Sequence, residues 1–302
     1  MQELLELADT TAATVRRLED KGLIAITTQI SERDPYAHEQ ILPTLSISLN
    51  PAQASALEKI KTAMNRSEDG ELKMETGRHL TPALSPLLAA SQRGEGETSS
   101  ATSHIPSSIL HPPSSTFLLH GVTGSGKTEI YLQAIAYALE QGKGAIVLVP
   151  EISLTPQTVE RFKARFSSGK LQTLVAVLHS HLSAGERHDE WHKIRQGRAR
   201  IVIGARSAIF APIDPLGLIV VDEEHEHSYK QEEAPRYHAR DVAVVRGQRE
   251  GAVVVLGSAT PSLESFYNVK KGKYTLLEMP TRADDKKMPV VRIVDMRKEN
   301  RK

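Results

Sequence analysis

The stretch Gly121-Val122-Thr123-Gly124-Ser125-Gly126-Lys127-Thr128 carries the clearest chemistry in the chain. Gly121, Gly124 and Gly126 let a backbone turn tightly and aim N–H groups at an anion. A helix opening near Lys127 adds the positive end of its dipole. Lys127 is a cation on a flexible stem, able to reach β- and γ-phosphates, and Thr128 offers a hydroxyl to Mg²⁺. Thr123 and Ser125 complete the loop. A strand ending near His120 and a helix beginning near Lys127 supply the expected flanks, so these residues predict a nucleoside triphosphate site.

Two further strings fit it. Leu218-Ile219-Val220-Val221-Asp222-Glu223-Glu224-His225 delivers adjacent carboxylates at the end of an apolar run. Ligands of parallel sheets bind at strand C-termini. Asp222 is expected to hold the Mg²⁺ shell and Glu223 to polarise an attacking water. Gly257-Ser258-Ala259-Thr260-Pro261 ends another run, and Ser258 and Thr260 could sense the γ-phosphate. His225 is expected to hydrogen-bond towards this string. With no cysteine in the chain, thiolate zinc sites, disulfides and cysteine nucleophiles are excluded. His188 and His192 lie four apart in a polar helix over Glu186–Gln196, where a solvated face is expected and no zinc site.

These groups need a scaffold. From Thr116 onward, apolar runs recur: 117–119, 145–149, 174–178, 201–203, 218–221 and 252–256. Each is short and rich in β-branched residues, and helical stretches such as Glu129–Gln141 and Pro156–Phe166 lie between them. That pattern predicts an α/β fold with a parallel sheet covered on both faces. Upstream, Asp9-Thr10-Thr11 can cap a helix whose apolar positions are Ala13, Val15 and Leu18, with Gly22 as its stop. A short strand at 23–28 would then outline a partial winged helix over residues 1–40. Asn50 caps a second helix that begins at Pro51, within a 41–65 stretch of linker and helix. Residues 66–115 are Ser-, Pro- and Gly-rich with little periodicity, and read as a disordered insertion.

The bulk properties narrow the partners. A net charge of +1 calls for no nucleic acid by itself, so such binding must be local. Five Phe, one Trp and seven Tyr are too few for an aromatic platform across a sheet. Aromatics and cations interleave in one place, Tyr229-Lys230-Gln231 through Pro235-Arg236-Tyr237-His238, which suits stacking on bases with phosphate contact. An ordinary polar loop packing its two tyrosines is the alternative. No stretch is long and apolar enough for a membrane span, and the acidic start at Met1–Glu6 is no signal peptide. A cytoplasmic protein is expected.

The three strings, in this order, resemble motifs I, II and III of superfamily 2 helicases. The resemblance narrows to the primosomal, replication-restart helicases. It rests on 117–129, Leu148–Thr155, His179-Ser180, Gly204–Ala208, 222–231 and Pro235–Asp241. It implies a RecA-like ATP-binding lobe over 116–285, with ATP and Mg²⁺ as ligands and single-stranded or forked DNA and other primosome proteins as partners. It implies that Gln53 reads adenine, whose edge a glutamine amide can both donate to and accept from. It assigns Pro150, Glu151 and Thr155 (motif Ia) and Gly204, Arg206 and Ser207 (motif Ib) to the single-strand backbone. It makes 229–237 a loop reporting DNA occupancy, with Tyr229, Lys230, Arg236 and Tyr237 at its heart.

The resemblance also implies a connection at 286–302 leading to a second lobe that lies past Lys302, together with the family's zinc-binding cysteines. The intact family moves 3′ to 5′ on single-stranded DNA. Two readings stay open: the motor lobe of such a helicase, or an ATP- and DNA-binding piece from a truncated gene that needs a second lobe for hydrolysis.

Overall fold

Apolar runs of five or six residues are stable as strands only where both faces are covered, and this chain covers them with helices. The structure, a computed structural model, describes residues 11–24, 42–71, 115–166 and 171–283. The chain divides into two units, Met1–His38 and Glu39–Lys302.

In the first unit the described segment is helix α1, Ala12–Asp20. Thr11 holds its N-cap position and Gly22 follows with φ of 69°, in the left-handed region that glycine adopts at low cost. Val15 is buried, whereas Leu18 stays on the exposed side. The strand expected at 23–28 lies almost wholly outside the described residues; Leu23 and Ile24 are not strand.

The second unit opens with α2, Pro51–Glu71. It runs past Arg66, where the composition placed the start of the insertion. The remainder of that insertion, to 114, lies outside the described residues. Next come β1 (Thr116–Gly121), α3 (Lys127–Glu140), β2 (Gly144–Leu148), α4 (Pro156–Phe166) and β3 (Leu174–Leu178). Then follow α5 (Ala184–Arg195), β4 (Ala199–Gly204), β5 (Leu216–Val221), the short pair β6 (Lys230–Gln231) and β7 (Tyr237–His238), α6 (Ala239–Glu250), β8 (Val253–Ser258), α7 (Leu263–Lys270) and β9 (Thr275–Met279).

Among the described residues seven strands form one sheet in the order β3-β4-β2-β5-β8-β1-β9, with every pair parallel. The central strands β2, β5 and β8 are buried along their whole length. All six predicted runs are strands. The seventh, β9, was not expected, because Thr275-Leu276-Leu277-Glu278-Met279 is brief and carries an exposed glutamate. β6 and β7 pair separately as an antiparallel hairpin, Lys230 opposite His238 and Gln231 opposite Tyr237.

Helix α5 leaves His188 exposed and His192 half-buried, in keeping with a solvated face for that pair, but its other side is buried. His188 and His192 stack near the surface, centroids 5.7 Å apart. Asp189, Glu190 and Lys193 are buried, and Lys193 pairs with Glu190 at 2.7 Å. The other Glu190 oxygen accepts from the backbone N–H of Val177 on the edge strand β3. Ser183 and Glu186 close a capping box at the start of the helix.

Among the described residues no helix is long and apolar enough to cross a membrane.

Candidate functional site

Because all strands run one way, every loop that leaves a strand C-terminus emerges on the same edge of the sheet. The three triphosphate strings follow β1, β5 and β8, and these are adjacent in the order β5-β8-β1. His120 on β1 is level with Ser258 on β8, and Val221 on β5 is level with Leu256. The 150–155 and 204–207 segments follow β2 and β4, next along the same edge. The strand order therefore separates a phosphate-type half from a second half built by β2 and β4.

The phosphate loop is a strand-to-helix turn. Gly124 and Gly126 take φ of 81° and 83°, and Gly126 is the N-cap of α3. Ser125 is buried and its hydroxyl has no partner. Lys127, also buried, folds back and donates to the Gly121 carbonyl at 2.9 Å. Thr128 stands half-buried in the first turn of α3. Thr123 is exposed, and its carbonyl accepts from Arg282 Nε at 3.2 Å.

Gln53 is 4% exposed and sits against this loop, 72 residues from it in sequence. Its amide nitrogen donates to the Ser125 carbonyl at 2.7 Å. Its amide oxygen accepts from the Asn50 N–H at 2.8 Å, while Asn50 Oδ1 accepts from the Gln53 N–H. The reciprocal pair caps α2, so both ends of the Gln53 amide are occupied here.

Asp222 follows β5, half-buried. It accepts from the hydroxyl of the buried Tyr131 at 3.0 Å. Burial, and then the neighbouring Glu223 charge, push its carboxyl above the ordinary aspartate value. The Tyr131 hydroxyl and the Lys127 cation act against that rise, which places Lys127 within electrostatic reach of Asp222. Tyr131 is itself raised well above the usual range by burial and by Asp222. Gly257 is required beside them, since a Cβ there would overlap the Tyr131 hydroxyl. Glu223 has φ of 44°, uncommon outside glycine, and stands at the turn out of β5.

His225 Nδ1 meets Ser258 Oγ at 2.8 Å and lies 3.7 Å from Glu223 Oε2. Its Nε2 lies 3.4 Å from Thr260 Oγ1. Ser258 also accepts from the Thr260 N–H. The Asp-Glu-Glu-His string and the Ser-Ala-Thr string are thus joined through one imidazole.

Glu224, which sequence reasoning passed over, is fully buried. It accepts from the Ser262 N–H at 2.7 Å, from the Ser262 and Ser265 hydroxyls, and from Arg240 Nη1 at 3.1 Å. It ties the turn after β5 to the start of α7, where Ser262 is the N-cap, and to the start of α6. No local signal marks it, because its partners lie 16 to 41 residues away.

On the second half, Pro150 is buried at the entry to a short 3-10 turn, Glu151–Ser153. Glu151 and Thr155 are exposed, and the Thr155 hydroxyl accepts from the Thr158 N–H at the start of α4. Gly204 ends β4; a Cβ there would run into the Leu178 carbonyl, so packing alone demands glycine. Ser207 is exposed in the 3-10 turn Arg206–Phe210. Arg206 Nη1 donates to the carbonyls of Ser228 and Lys230, holding the entry to the β6–β7 hairpin.

Within 229–237 the aromatic expectation divides. Tyr229 is 1% exposed and its hydroxyl donates to the Asp222 carbonyl at 2.6 Å. It cannot stack on a base; it ties the hairpin to the carboxylate turn. Burial, and then Asp222, raise its phenol well above the usual range. Lys230 and Arg236 are exposed. Tyr237 is half-buried, edge-on to Phe210 at 5.1 Å.

A profile of the DEAD/DEAH box helicases matches residues 103–269. The chain belongs to that family, and its sheet is the RecA-like lobe of superfamily 2 helicases. Within the family its sequence is similar to replication restart proteins. It is 46% identical over 299 residues to replication restart protein PriA of Bacillus subtilis, covering 99% of this chain and 31% of that protein. PriA of Chlamydia pneumoniae is 51% identical over 207 residues, 68% of this chain and 27% of the relative. The chain spans about a third or less of the length of these curated relatives. Among solved structures, RecG bound to a three-way DNA junction matches with a TM-score of 0.48 and 21% identity, over 85% of this chain and 27% of that one.

Proposed function

We propose that residues 116–285, with the helix that carries Gln53, form the ATP-binding motor lobe of a replication-restart helicase. The observation that carries this is convergence. The phosphate loop, the Asp222–Glu223 carboxylates and the Ser258–Thr260 turn follow three adjacent strands and are joined by His225.

The donor set fits an adenine nucleotide with Mg²⁺. A buried, unpartnered Ser125 hydroxyl lies in a glycine loop at a helix N-terminus. Lys127 can leave the Gly121 carbonyl for phosphate oxygens. Thr128 and Asp222 are hard oxygen donors, and Mg²⁺ is commonly held by one or two such groups plus phosphates and water. Among the described residues no cluster of three or more His, Cys, Asp or Glu could hold a metal ion. When bound, Mg²⁺ would neutralise phosphate charge. Glu223 would accept a proton from the attacking water, and His225 would relay the state of that site to Ser258 and Thr260. Gln53 would read adenine once its amide leaves the Ser125 carbonyl.

Single-stranded DNA would lie along the edge built by 150–155 and 204–207, with Lys230, Arg236 and Tyr237 adding cations and a ring. Tyr229 couples that hairpin to Asp222, and Arg206 ties it to the 204–207 segment. The relatives' names support a role in restarting replication; a forked-DNA substrate, other restart proteins as partners, a cytoplasmic location and 3′ to 5′ movement are our reading from the motif resemblance. The test is ATP binding and single-strand-stimulated ATP turnover by the purified chain, beside a Lys127→Ala control. Loss of binding in the control supports the site, and stimulated turnover supports an autonomous motor. Binding without turnover would assign catalysis to a complementing lobe. Binding that survives Lys127→Ala overturns the reading.

A further inference from the structure

Three consecutive carbonyls of the phosphate loop are occupied by donors from distant elements. Arg282 Nε donates to Thr123 O at 3.2 Å, the Ala283 N–H to Gly124 O at 2.9 Å, and Gln53 Nε2 to Ser125 O at 2.7 Å. The contact begins earlier, where the Val122 N–H donates to the Met279 carbonyl at the end of β9. The chain leaving β9 therefore continues alongside the loop. The Arg282 side chain lies over Gly124, where even a methyl group would come within 3.1 Å of its Nε.

We propose that Arg282 and Ala283 are positioning residues for nucleotide binding, bracing the phosphate loop from outside. A trans peptide is planar, and its C=O and N–H point in opposite directions. Fixing the Thr123 and Ser125 carbonyls outward turns the Gly124 and Gly126 N–H groups to the inner side. Those are the groups an anion needs. Left unbraced, a loop with two glycines at positive φ would sample many orientations, and binding would have to order it. Gln53 can serve this function only until it turns to adenine. The two donors beyond β9 make no such exchange, so they hold the loop while Gln53 moves. The inference rests on the ATP reading above, and it adds a segment that carries no recognised motif.

Two single variants remove different donors: Arg282→Ala deletes the guanidinium, and Ala283→Pro deletes an N–H without touching charge. Arg282→Lys keeps a donor. Hydrogen exchange over residues 121–128 is measured in the nucleotide-free chain, and ATP affinity by fluorescent-nucleotide competition. Losing one hydrogen bond predicts about fivefold faster exchange in the loop and about fivefold weaker ATP binding for each of the first two variants. The lysine variant should recover most of both, with melting temperatures unchanged. Parental exchange rates in both variants would overturn the brace, whatever the nucleotide result. Faster exchange with unchanged affinity would overturn the positioning role. Faster exchange in a chain whose parent binds no ATP would support the brace while overturning the ATP reading.

Discussion

Arg240→Met is the most telling perturbation of the carboxylate turn. Glu224 has no exposed surface, and Arg240 is its only cationic partner among the described contacts. The variant keeps the stem's volume and leaves three neutral donors around the carboxylate: the Ser262 N–H and the hydroxyls of Ser262 and Ser265. Removing one member of a buried pair strands the other charge, at a cost of about 3–5 kcal/mol. Arg240 also donates to Ser262 Oγ at 2.8 Å, and its contact to the mostly exposed Asp241 adds little. For a domain of this size that corresponds to a drop of roughly 6–20 °C in Tm. The assay is urea denaturation with a shared m-value, on Arg240→Met, Glu224→Gln and the double variant. The double should be more stable than Arg240→Met alone, because a neutral amide can donate to the two serine hydroxyls, which rotate to accept. A cost below about 1 kcal/mol for Arg240→Met, or strict additivity in the double, would refute a buried ion pair at this junction.

Gly204→Ala should destabilise by about 1–3 kcal/mol in the same assay, since its methyl group meets a strand carbonyl that cannot move aside. Asp222→Asn should raise the stability of the nucleotide-free chain by about 0.5–2 kcal/mol, because burial penalises the carboxylate, while abolishing Mg²⁺-dependent ATP binding. Glu129 should show the opposite electrostatics. Burial alone would raise its carboxyl, but hydrogen bonds from Arg165, Gln133 and the Ile47 N–H outweigh it and hold the carboxyl below its ordinary 4.5. A depressed carboxylate stabilises above its unfolded value, and that stability is lost as pH falls below 4.5 through the folded value. Arg165→Leu should cost about 1.5–3 kcal/mol at neutral pH and flatten that acid limb in a pH series of melts.

The strands were legible because each central strand must be apolar on both faces, as Ile146, Val220 and Val255 are. Their order was not, since β5 and β8 enter between β2 and β1 through contacts far apart in sequence. The phosphate loop was legible because its chemistry is contiguous, from Gly121 to Thr128. Glu224 was overlooked for the converse reason: its identity as a buried ion depends on Arg240 and Ser265. Tyr229 shows how one residue type serves two ends. A tyrosine among cations suits a base, but the same ring and hydroxyl can fill a core and reach a carbonyl, and here Asp222 supplies one. Arg282 had no signal at all, lying past a strand that was itself unexpected.

The Glu190 carboxylate on the N–H of Val177 has a consequence for how copies of this protein meet. Among the described residues β3 is the last strand on its side of the sheet, and an uncovered edge invites strand addition from another molecule. Here a buried acidic side chain, held by Lys193, takes the N–H bond an incoming strand would need at Val177. Strand addition at Val177 would first have to displace this ion-paired carboxylate. Removing that one carboxylate would free the Val177 N–H for a new partner.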